Sequence, residues 1–186
     1  MKKELIKTVD ANFRLERIGV EEADRLSVLC REIYVQYYLY LWYDAGEWYQ
    51  QTRYHPDILA EELSNPQSEF YWIRQGDQKA GYVKINLAAQ VKEFDSPSGR
   101  RGLEIERIYL YREFAGQGLG KKALMWVEAQ ARQQEYDFLF LYTMDSSDAR
   151  LFYEKLGYQK VAVKRLPFEK MKPEYRDMYL MIKELR

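Results

Sequence analysis

The chain has 186 residues, which suits one ordinary domain and is short for two. Its 29 Lys and Arg residues balance 29 Asp and Glu residues, so no overall positive field is available to attract a nucleic acid backbone. The hydrophobic content of 47%, with 8 Phe, 17 Tyr and 4 Trp, is enough to fill a sizeable core. We therefore expect a single domain over residues 1–186 whose partner is a small molecule.

The N-terminal sequence MKKELIKTVDANF is not expected to be a signal peptide, because Glu4, Lys7 and Asp10 interrupt any apolar segment. No run of about 18 apolar residues predicts a membrane-spanning helix, so no membrane association is expected. The single cysteine, Cys30, excludes an internal disulfide, fits a reducing cytoplasm and has the spacing of a buried helix face. The single histidine, His55, leaves little from which to build a Ser-His-Asp triad or a metal site.

The first half of the chain contains a predicted strand and two predicted helices. Residues Phe13 to Ile18 alternate like a half-buried strand, and a helix is predicted from about Glu21 to about Tyr38. A second helix is predicted from Pro56 or Asp57 to Leu63. The aromatic stretch from Tyr40 to Tyr54 is assigned to no element, and its side chains are expected to line a pocket or a subunit contact.

The second half is predicted to contain a hairpin and a strand-helix-strand unit. EFYWIR and KAGYVKINL flank a turn at Gly76 and Asp77, and Val91 to Gly102 resembles a mobile loop. The strand LEIERIYLY, a helix from about Gln117 to Gln134 and the strand FLFLYT follow, and the two strands are expected to be parallel. A helix from Ala149 to Leu156 and strands near YQKVAVKRL and RDMYLMIKEL complete the chain.

Three alternating glycines, in REFAGQGLGKKAL, stand just before the helix predicted from about Gln117. Successive amides in such a turn can point into one concavity, and the helix N-terminus adds positive charge, so the turn suits a phosphate. A tight turn between strand and helix is the alternative. A Walker A loop is excluded by Ala115 and Lys122, and the spacing of the glycines differs from the dinucleotide fingerprint G-x-G-x-x-G.

The turn and a downstream segment together resemble the GNAT superfamily of N-acetyltransferases. AGQGLG matches the end of the family pattern Q/R-x-x-G-x-G/A with Gly118 and Gly120, and SSDARLFYEKLGY matches the later motif with Ala149, Tyr153 and Gly157. The chain looks most like the bacterial diamine or spermidine N-acetyltransferases. Ala115 and Ser146 depart from the usual Gln or Arg and the usual Asn.

The resemblance implies an α/β (α+β) fold: a mixed, mostly antiparallel twisted sheet of about six to seven strands, about four helices and a central parallel strand pair. It also implies direct transfer of acetyl from acetyl-CoA to the primary amine of a small molecule or polyamine. The residues implied in coenzyme binding are Ile108, Tyr109, Leu110, Gly116, Gln117, Gly118, Leu119, Gly120, Lys121, Ser146 and Lys155. Tyr153 matches the tyrosine that protonates the leaving thiolate, and a place in the apolar core is its alternative role.

A base is also needed, because an aliphatic amine with a pKa near 10.4 is protonated at neutral pH. Simple alternation puts Glu104 and Glu106 on one strand face, together with Ile108 and Leu110. Glu104 matches the base of some family members, and either glutamate could instead pair with a nearby arginine.

The acceptor site is expected near the first two helices. Its candidate residues are Asp44, Glu47, Glu61 and Glu62 with Trp42 and Trp48, which could hold a polyamine or form a solvated acidic surface. A non-catalytic module that binds acyl-CoA, a peptide or protein N-acetyltransferase, and a homodimer remain open alternatives.

Overall fold

The computed structural model describes residues 7–10, 12–87, 89–91 and 99–185. The strands are β1 (Lys7–Asp10), β2 (Phe13–Arg17), β3 (Ser68–Gln75), β4 (Gln78–Asn86), β5 (Gly102–Leu110), β6 (Phe138–Met144), β7 (Gln159–Arg165) and β8 (Asp177–Glu184). The α-helices are α1 (Ala23–Tyr37), α2 (Glu47–Arg53), α3 (Pro56–Ser64), α4 (Leu119–Gln133) and α5 (Ala149–Lys155). These eight strands form one sheet in the order β1-β2-β3-β4-β5-β6-β8-β7, in which β5 and β6 are parallel and the other neighbouring pairs of these strands are antiparallel.

Each face of the sheet carries a hydrophobic core. On one face Val127 of α4 packs in a cluster with Ile73 of β3, and α5 contributes to the same cluster. On the other face Leu26 of α1 and Leu59 of α3 pack with Phe70 of β3. Cys30 belongs to this second cluster and is 2% exposed, and burial raises the pKa of its thiol to about 12. The prediction of a core cysteine is confirmed.

Strand β5 contains one residue more than the facing part of β4. Arg107 pairs with Lys84 and Ile105 pairs with Ile85, so Glu106 has no partner and forms a β-bulge. A bulge shifts the alternation of side chains by one position. A residue after Glu106 therefore lies on the face opposite to the one that simple alternation, counted from the residues before Glu106, would predict.

The bulge overturns one prediction about the faces of β5. Glu104 and Glu106 do share a face, since both accept hydrogen bonds from the same amide group. Ile108 and Leu110, however, pack in the core of the opposite face, together with Ile105. Strict alternation was wrong beyond Glu106 because it ignored the extra residue.

Strands β5 and β6 are paired over a short distance and then diverge. The parallel ladder joins Gly102–Glu104 to Phe138–Phe140. Beyond this point β6 continues beside β8 as far as Met144, and β5 continues beside β4 as far as Leu110. The edge of β5 that faces away from β4 therefore has no strand partner after Glu104 among the described residues. A wedge opens between the two central strands.

The predicted fold class is confirmed, with two differences in the number of elements. Among the described residues the sheet has eight strands instead of six to seven, since the short strand β1 adds to the edge, and there are five α-helices because the unassigned stretch contains α2. Helix α2 follows Gly46, whose φ of +80° places the residue before the helix in a left-handed conformation. Its sequence EWYQQTR has no clear apolar period, so periodicity does not detect it.

The predicted mobile loop from Val91 to Gly102 falls mostly on residues 92–98, which lie outside the described part of the chain. Across the residues that the structure does describe, none of the helices combines the length and the apolar content that crossing a membrane requires.

Candidate active site

The turn between β5 and α4 depends on two glycines with positive φ. The φ angle is +75° at Gly116 and +80° at Gly118, a region that costs other residues about 1–2 kcal/mol. A Cβ atom at either position would meet no atom of the described residues within 4 Å. Backbone conformation, and not crowding, therefore requires these two glycines. Gly120 lies inside α4, where a Cβ would come into ordinary contact with Leu110 at 3.8 Å.

Helix α4 begins with amides that have no acceptor in the described part of the protein. Its first hydrogen bond runs from the N–H of Lys122 to the carbonyl of Gly118, 3.0 Å away. The N–H groups of Leu119, Gly120 and Lys121 precede this bond, and no side chain caps them. The N-terminus of a helix carries about half a unit of positive charge. The start of α4 is therefore suited to a phosphate group.

A cavity of about 390 Å³ and a cavity of about 470 Å³ lie side by side in the wedge. We call the larger one the turn cavity, because Gly116, Gly118 and Gly120 line it. Eight of the eleven predicted coenzyme residues line the turn cavity: Ile108, Tyr109, Leu110, Gly116, Gly118, Leu119, Gly120 and Lys121. These eight residues therefore surround one cavity, and their role in coenzyme binding stays a prediction.

The other three predicted coenzyme residues lie outside that lining. The side chain of Gln117 donates to the carbonyl of Glu113 at 2.8 Å and accepts from Gln75 at 3.1 Å. Ser146 and Lys155 line neither cavity, and Lys155 is exposed in the last turn of α5.

We call the smaller cavity the aromatic cavity. Its aromatic lining residues are Tyr34, Tyr38, Trp42, Tyr49, Tyr109, Tyr142, Tyr153 and Phe168. Tyr38, Ile108, Tyr109 and Tyr153 line both cavities, so the two adjoin across these side chains. Of the two roles expected for the tyrosine-rich stretch, the structure supports lining a pocket.

Tyr153 stands at the junction of the two cavities. Its side chain comes from the middle of α5, packs with Phe152 and Tyr158 at ring distances of 5.3 and 5.8 Å, and is 9% exposed. Burial raises the pKa of Tyr153 to about 12, so its hydroxyl is protonated at neutral pH. A phenol in this state can donate a proton or a hydrogen bond to a group in either cavity.

Glu104 and Glu106 have different environments, although both accept from the side-chain amide of Asn86 at 2.7 Å. Burial, and next the charge of Glu106, raise the pKa of Glu104. Burial also acts to raise the pKa of Glu106, but the charges of Arg107 and Lys84 outweigh it and lower that pKa. Glu106 lines the aromatic cavity, and Glu104 lines neither cavity.

Glu106 belongs to a closed ring of four charged side chains. Lys84 lies 2.6 Å from Glu106 and 3.2 Å from Glu62, and Arg107 lies 3.0 Å from Glu106. The two outer nitrogens of Arg107 each donate to one carboxylate oxygen of Glu62 at 2.9 Å. Lys84 and Arg107 are buried, and this ring ties α3 to the bulge of β5.

The acidic residues proposed for the acceptor site have other roles or lie elsewhere. Asp44 accepts from the N–H groups of Gly46 and Trp48 at 3.0 and 3.1 Å, so it caps the start of α2. Glu62 is committed to the charged ring, and Glu47 and Glu61 are exposed and line neither cavity. Trp42 does line the aromatic cavity, where its ring N–H donates to the hydroxyl of Tyr34 at 2.5 Å.

Several lining residues were missed by sequence reasoning. Phe168 and Met171 come from the segment between β7 and β8, and Met171 forms an isolated bridge with Trp42. Arg53 comes from the end of α2. The only available signal was the density of aromatic residues, since none of these positions belongs to a motif.

The family of the chain follows from its similarity to known proteins. The model of the acetyltransferase (GNAT) family matches residues 28–158, well over half of the chain. The chain therefore belongs to the GNAT acetyltransferase family, and the predicted family is confirmed. The enzyme class of that family is acyltransferase, as expected.

The chain matches individual curated relatives over part of their length. An uncharacterized N-acetyltransferase from the pepI 3' region of Lactobacillus delbrueckii subsp. lactis is 36% identical over 103 residues, covering 54% of this chain and 57% of the relative. N-acetyltransferase 8 of Rattus norvegicus is 34% identical over 128 residues, covering 65% and 55%. The chain thus spans a little over half the length of these relatives.

Solved structures share the fold over nearly the whole chain. The PaiA N-acetyltransferase of Thermoplasma acidophilum, in complex with coenzyme A, has a TM-score of 0.70 at 17% identity and covers 92% of this chain and 98% of its own. Arabidopsis thaliana Naa50, in complex with the bisubstrate analogue CoA-Ac-MVNAL, has a TM-score of 0.67 at 17% identity and covers 94% and 99%. At these identities the likeness concerns the fold alone.

Proposed function

We propose that the protein transfers the acetyl group of acetyl-CoA directly to the primary amine of a small molecule while both substrates are bound. One observation carries this proposal: two cavities meet at a buried, protonated tyrosine, and one of them covers free helix amides. Such a pair of adjoining sites suits a donor and an acceptor that react without a covalent enzyme intermediate. The buried Cys30, which lines neither cavity, is not needed as a nucleophile.

The turn cavity is the proposed site of acetyl-CoA. The amides of Leu119, Gly120 and Lys121 would hold the diphosphate, and Lys121 adds a full positive charge. The free edge of β5 at residues 108–110 offers backbone groups to the pantetheine arm, as a further strand would. Contacts from Gln117, Ser146 and Lys155 remain predictions from the family resemblance.

The chain supplies the proton transfers of the proposed reaction. The amine nitrogen forms a bond to the acetyl carbon as the carbon–sulfur bond breaks, so one proton leaves the amine and one reaches the sulfur. Tyr153 is placed to protonate the thiolate, because it borders both cavities. Glu104 is the predicted base, but it is linked to the aromatic cavity only through Asn86 and Glu106, so its action would need water.

The acceptor is expected to be a small primary amine. The narrower expectations, a polyamine acceptor, resemblance to diamine or spermidine N-acetyltransferases, a cytoplasmic location and a homodimer, remain predictions. Peptide acetylation is the second candidate: the structure of Naa50, which shares this fold, holds the bisubstrate analogue CoA-Ac-MVNAL. A non-catalytic acyl-CoA module is the third.

Two measurements test the proposal together. Saturating acetyl-CoA should raise the melting temperature by about 5 °C or more, because only the native state binds it. Release of free thiol should then follow the addition of an amine from a panel of amino acids, polyamines and peptides. No thermal shift would contradict the proposed coenzyme site, and a shift without thiol release from any amine would favour the non-catalytic module.

A further inference from the structure

The charged side chains that line the aromatic cavity differ in whether they have a partner of opposite charge. Its charged lining residues, among those that the structure describes, are Arg53, Glu106 and Arg107. Glu106 lies 3.0 Å from Arg107 and 2.6 Å from Lys84, and Arg107 forms two further bonds with Glu62. The ring of four charges is therefore internally balanced and leaves no free carboxylate for a cationic acceptor.

Arg53 is the charged residue of this lining without an acidic partner. It ends helix α2 and is exposed, and no carboxylate of the described residues pairs with it within 4.0 Å. Its guanidinium carbon lies 6.0 Å from the centroid of the Phe168 ring. Phe168 in turn packs against Trp42 at 6.0 Å and Trp48 at 5.3 Å, so an aromatic wall supports the cation.

Tyr49 connects Arg53 to the deeper part of the cavity. Its ring packs against Phe168 at 6.3 Å and against Tyr34 at 5.0 Å, and it lines the cavity. Burial raises the pKa of Tyr49, and the charges of Arg107 and Arg53 both act against that rise. Tyr49 therefore links Phe168, which lies beside Arg53, to Tyr34 in the deeper part of the aromatic cavity.

We propose that the acceptor is a small amino acid whose side chain is aromatic or otherwise apolar, and that Arg53 binds its carboxylate. This inference rests on the proposed function and names the substrate class for the same site. An arginine forms strong charge-assisted bonds with a carboxylate, and the aromatic wall offers apolar contact to a side chain. A cavity of about 390 Å³ suits a molecule of this size. A polyamine would bring several positive charges to a site whose free charge is already positive.

Three acceptors with the same aromatic ring test the proposal in the wild type. Phenylalanine carries the carboxylate, phenylalanine amide replaces it with a neutral group, and phenethylamine lacks it. We expect kcat/KM for phenylalanine to exceed that for either analogue and for spermidine by about tenfold or more. Equal values for the three aromatic amines, or a preference for spermidine or for a peptide with N-terminal phenylalanine, would overturn the proposal.

The variant Arg53→Gln should abolish this preference by raising KM for phenylalanine about tenfold with little change in kcat. Arg25→Gln is the matched control, since the side chain of Arg25 is 75% exposed and lines neither cavity. The thermal shift with acetyl-CoA should be unchanged in both variants, which shows that they are folded. A preference for phenylalanine that survives Arg53→Gln would assign the carboxylate to another group and overturn the role of Arg53.

A binding measurement separates this inference from the proposed catalysis. N-acetylphenylalanine and N-acetylphenethylamine differ in the carboxylate and need no turnover, and quenching of tryptophan fluorescence reports their binding near Trp42 and Trp48. We expect the wild type to bind N-acetylphenylalanine about tenfold more tightly than N-acetylphenethylamine. The variant Arg53→Gln should bind the two compounds with equal affinity. Equal affinity in the wild type would overturn the carboxylate site even if thiol release were observed with other amines. Tight binding without thiol release would contradict only the proposed reaction.

Discussion

The turn cavity and the aromatic cavity adjoin, but they are built from different parts of the chain. The turn cavity is formed largely by one continuous stretch, and the groups proposed to bind there are backbone amides of the turn and of α4. The aromatic cavity is formed by side chains from several elements, among them α1, α2, β5, β6, α5 and the segment between β7 and β8. The character of the first cavity therefore depends mainly on backbone conformation, whereas that of the second depends mainly on its side chains.

The largest effect is expected for a substitution in the buried ring of four charges beside the aromatic cavity. Glu106→Gln should lower the free energy of unfolding by about 3 kcal/mol, because Lys84 and Arg107 would retain only one carboxylate between them. This corresponds to a fall in melting temperature of roughly 10 °C. Thermal unfolding with and without acetyl-CoA measures both the loss and the coenzyme response, which should remain.

Glu104→Gln is the matched control, because Glu104 accepts from the same Asn86 amide at the same distance. Its pKa is raised by burial, so the neutral side chain should cost little or no stability. A similar loss in both variants would contradict the assigned role of the charged ring. A strong fall in kcat for Glu104→Gln alone would support Glu104 as the base.

The lowered pKa of Glu106 also predicts how the stability of the protein depends on pH. The pKa of Glu106 in the folded protein lies below its ordinary value of 4.5, so its ionised form stabilises the fold. That contribution is complete above pH 4.5 and is lost as the pH falls through the lowered pKa. Urea unfolding between pH 3 and pH 7 should therefore show a shallower loss of stability at low pH in Glu106→Gln than in the wild type. Parallel curves would contradict the lowered pKa.

The next effect concerns the junction of the cavities. Tyr153→Phe removes the proposed proton donor and should lower kcat about 100-fold, with little change in the thermal shift caused by acetyl-CoA. Steady-state thiol release gives kcat. Tyr158→Phe is the control, since Tyr158 is a buried neighbour at a ring distance of 5.8 Å that lines neither cavity. Equal rates in the wild type and Tyr153→Phe would return Tyr153 to a purely structural role.

The smallest effect is expected at the turn. Gly118→Ala should cost about 1 kcal/mol of stability through its positive φ and weaken acetyl-CoA binding about tenfold by disturbing the amides that follow. Gly99→Ala is matched to it, with a φ of +90° and no atom within 4 Å of an added Cβ, but it lies outside both cavities. Calorimetric titration should show weaker binding for the first variant alone. Loss of affinity in both would point to a general effect on the fold.

The contrast between the cavities also explains what the sequence could predict. The glycine turn and the α5 motif are local patterns, so the sequence alone points to Gly116, Gly118, Gly120 and Tyr153. The strands and most helices follow from local periodicity as well. The bulge at Glu106 was missed because it depends on how β4 and β5 pair, which alternation along one strand does not contain.

The lining of the aromatic cavity could not be predicted for the same reason. Arg53 and Phe168 are 115 positions apart and meet only when α2 and the segment after β7 converge. The acidic residues Asp44 and Glu62 were candidates because of their charge, but the structure uses one as a helix cap and the other as an ion-pair partner. Charge along the chain does not indicate which side chains reach a cavity.

The wall shared by the two cavities consists of Tyr38, Ile108, Tyr109 and Tyr153. A redesign of the protein should keep these four residues and change residues that line one cavity alone. A substitution in this wall would disturb both ligands at once. Trp42, Tyr49, Arg53 and Phe168 border the aromatic cavity and not the turn cavity, so under the proposed function exchanging them should alter acceptor choice and leave the proposed donor site intact. A library confined to those four positions is therefore a direct route to new acceptors on this scaffold.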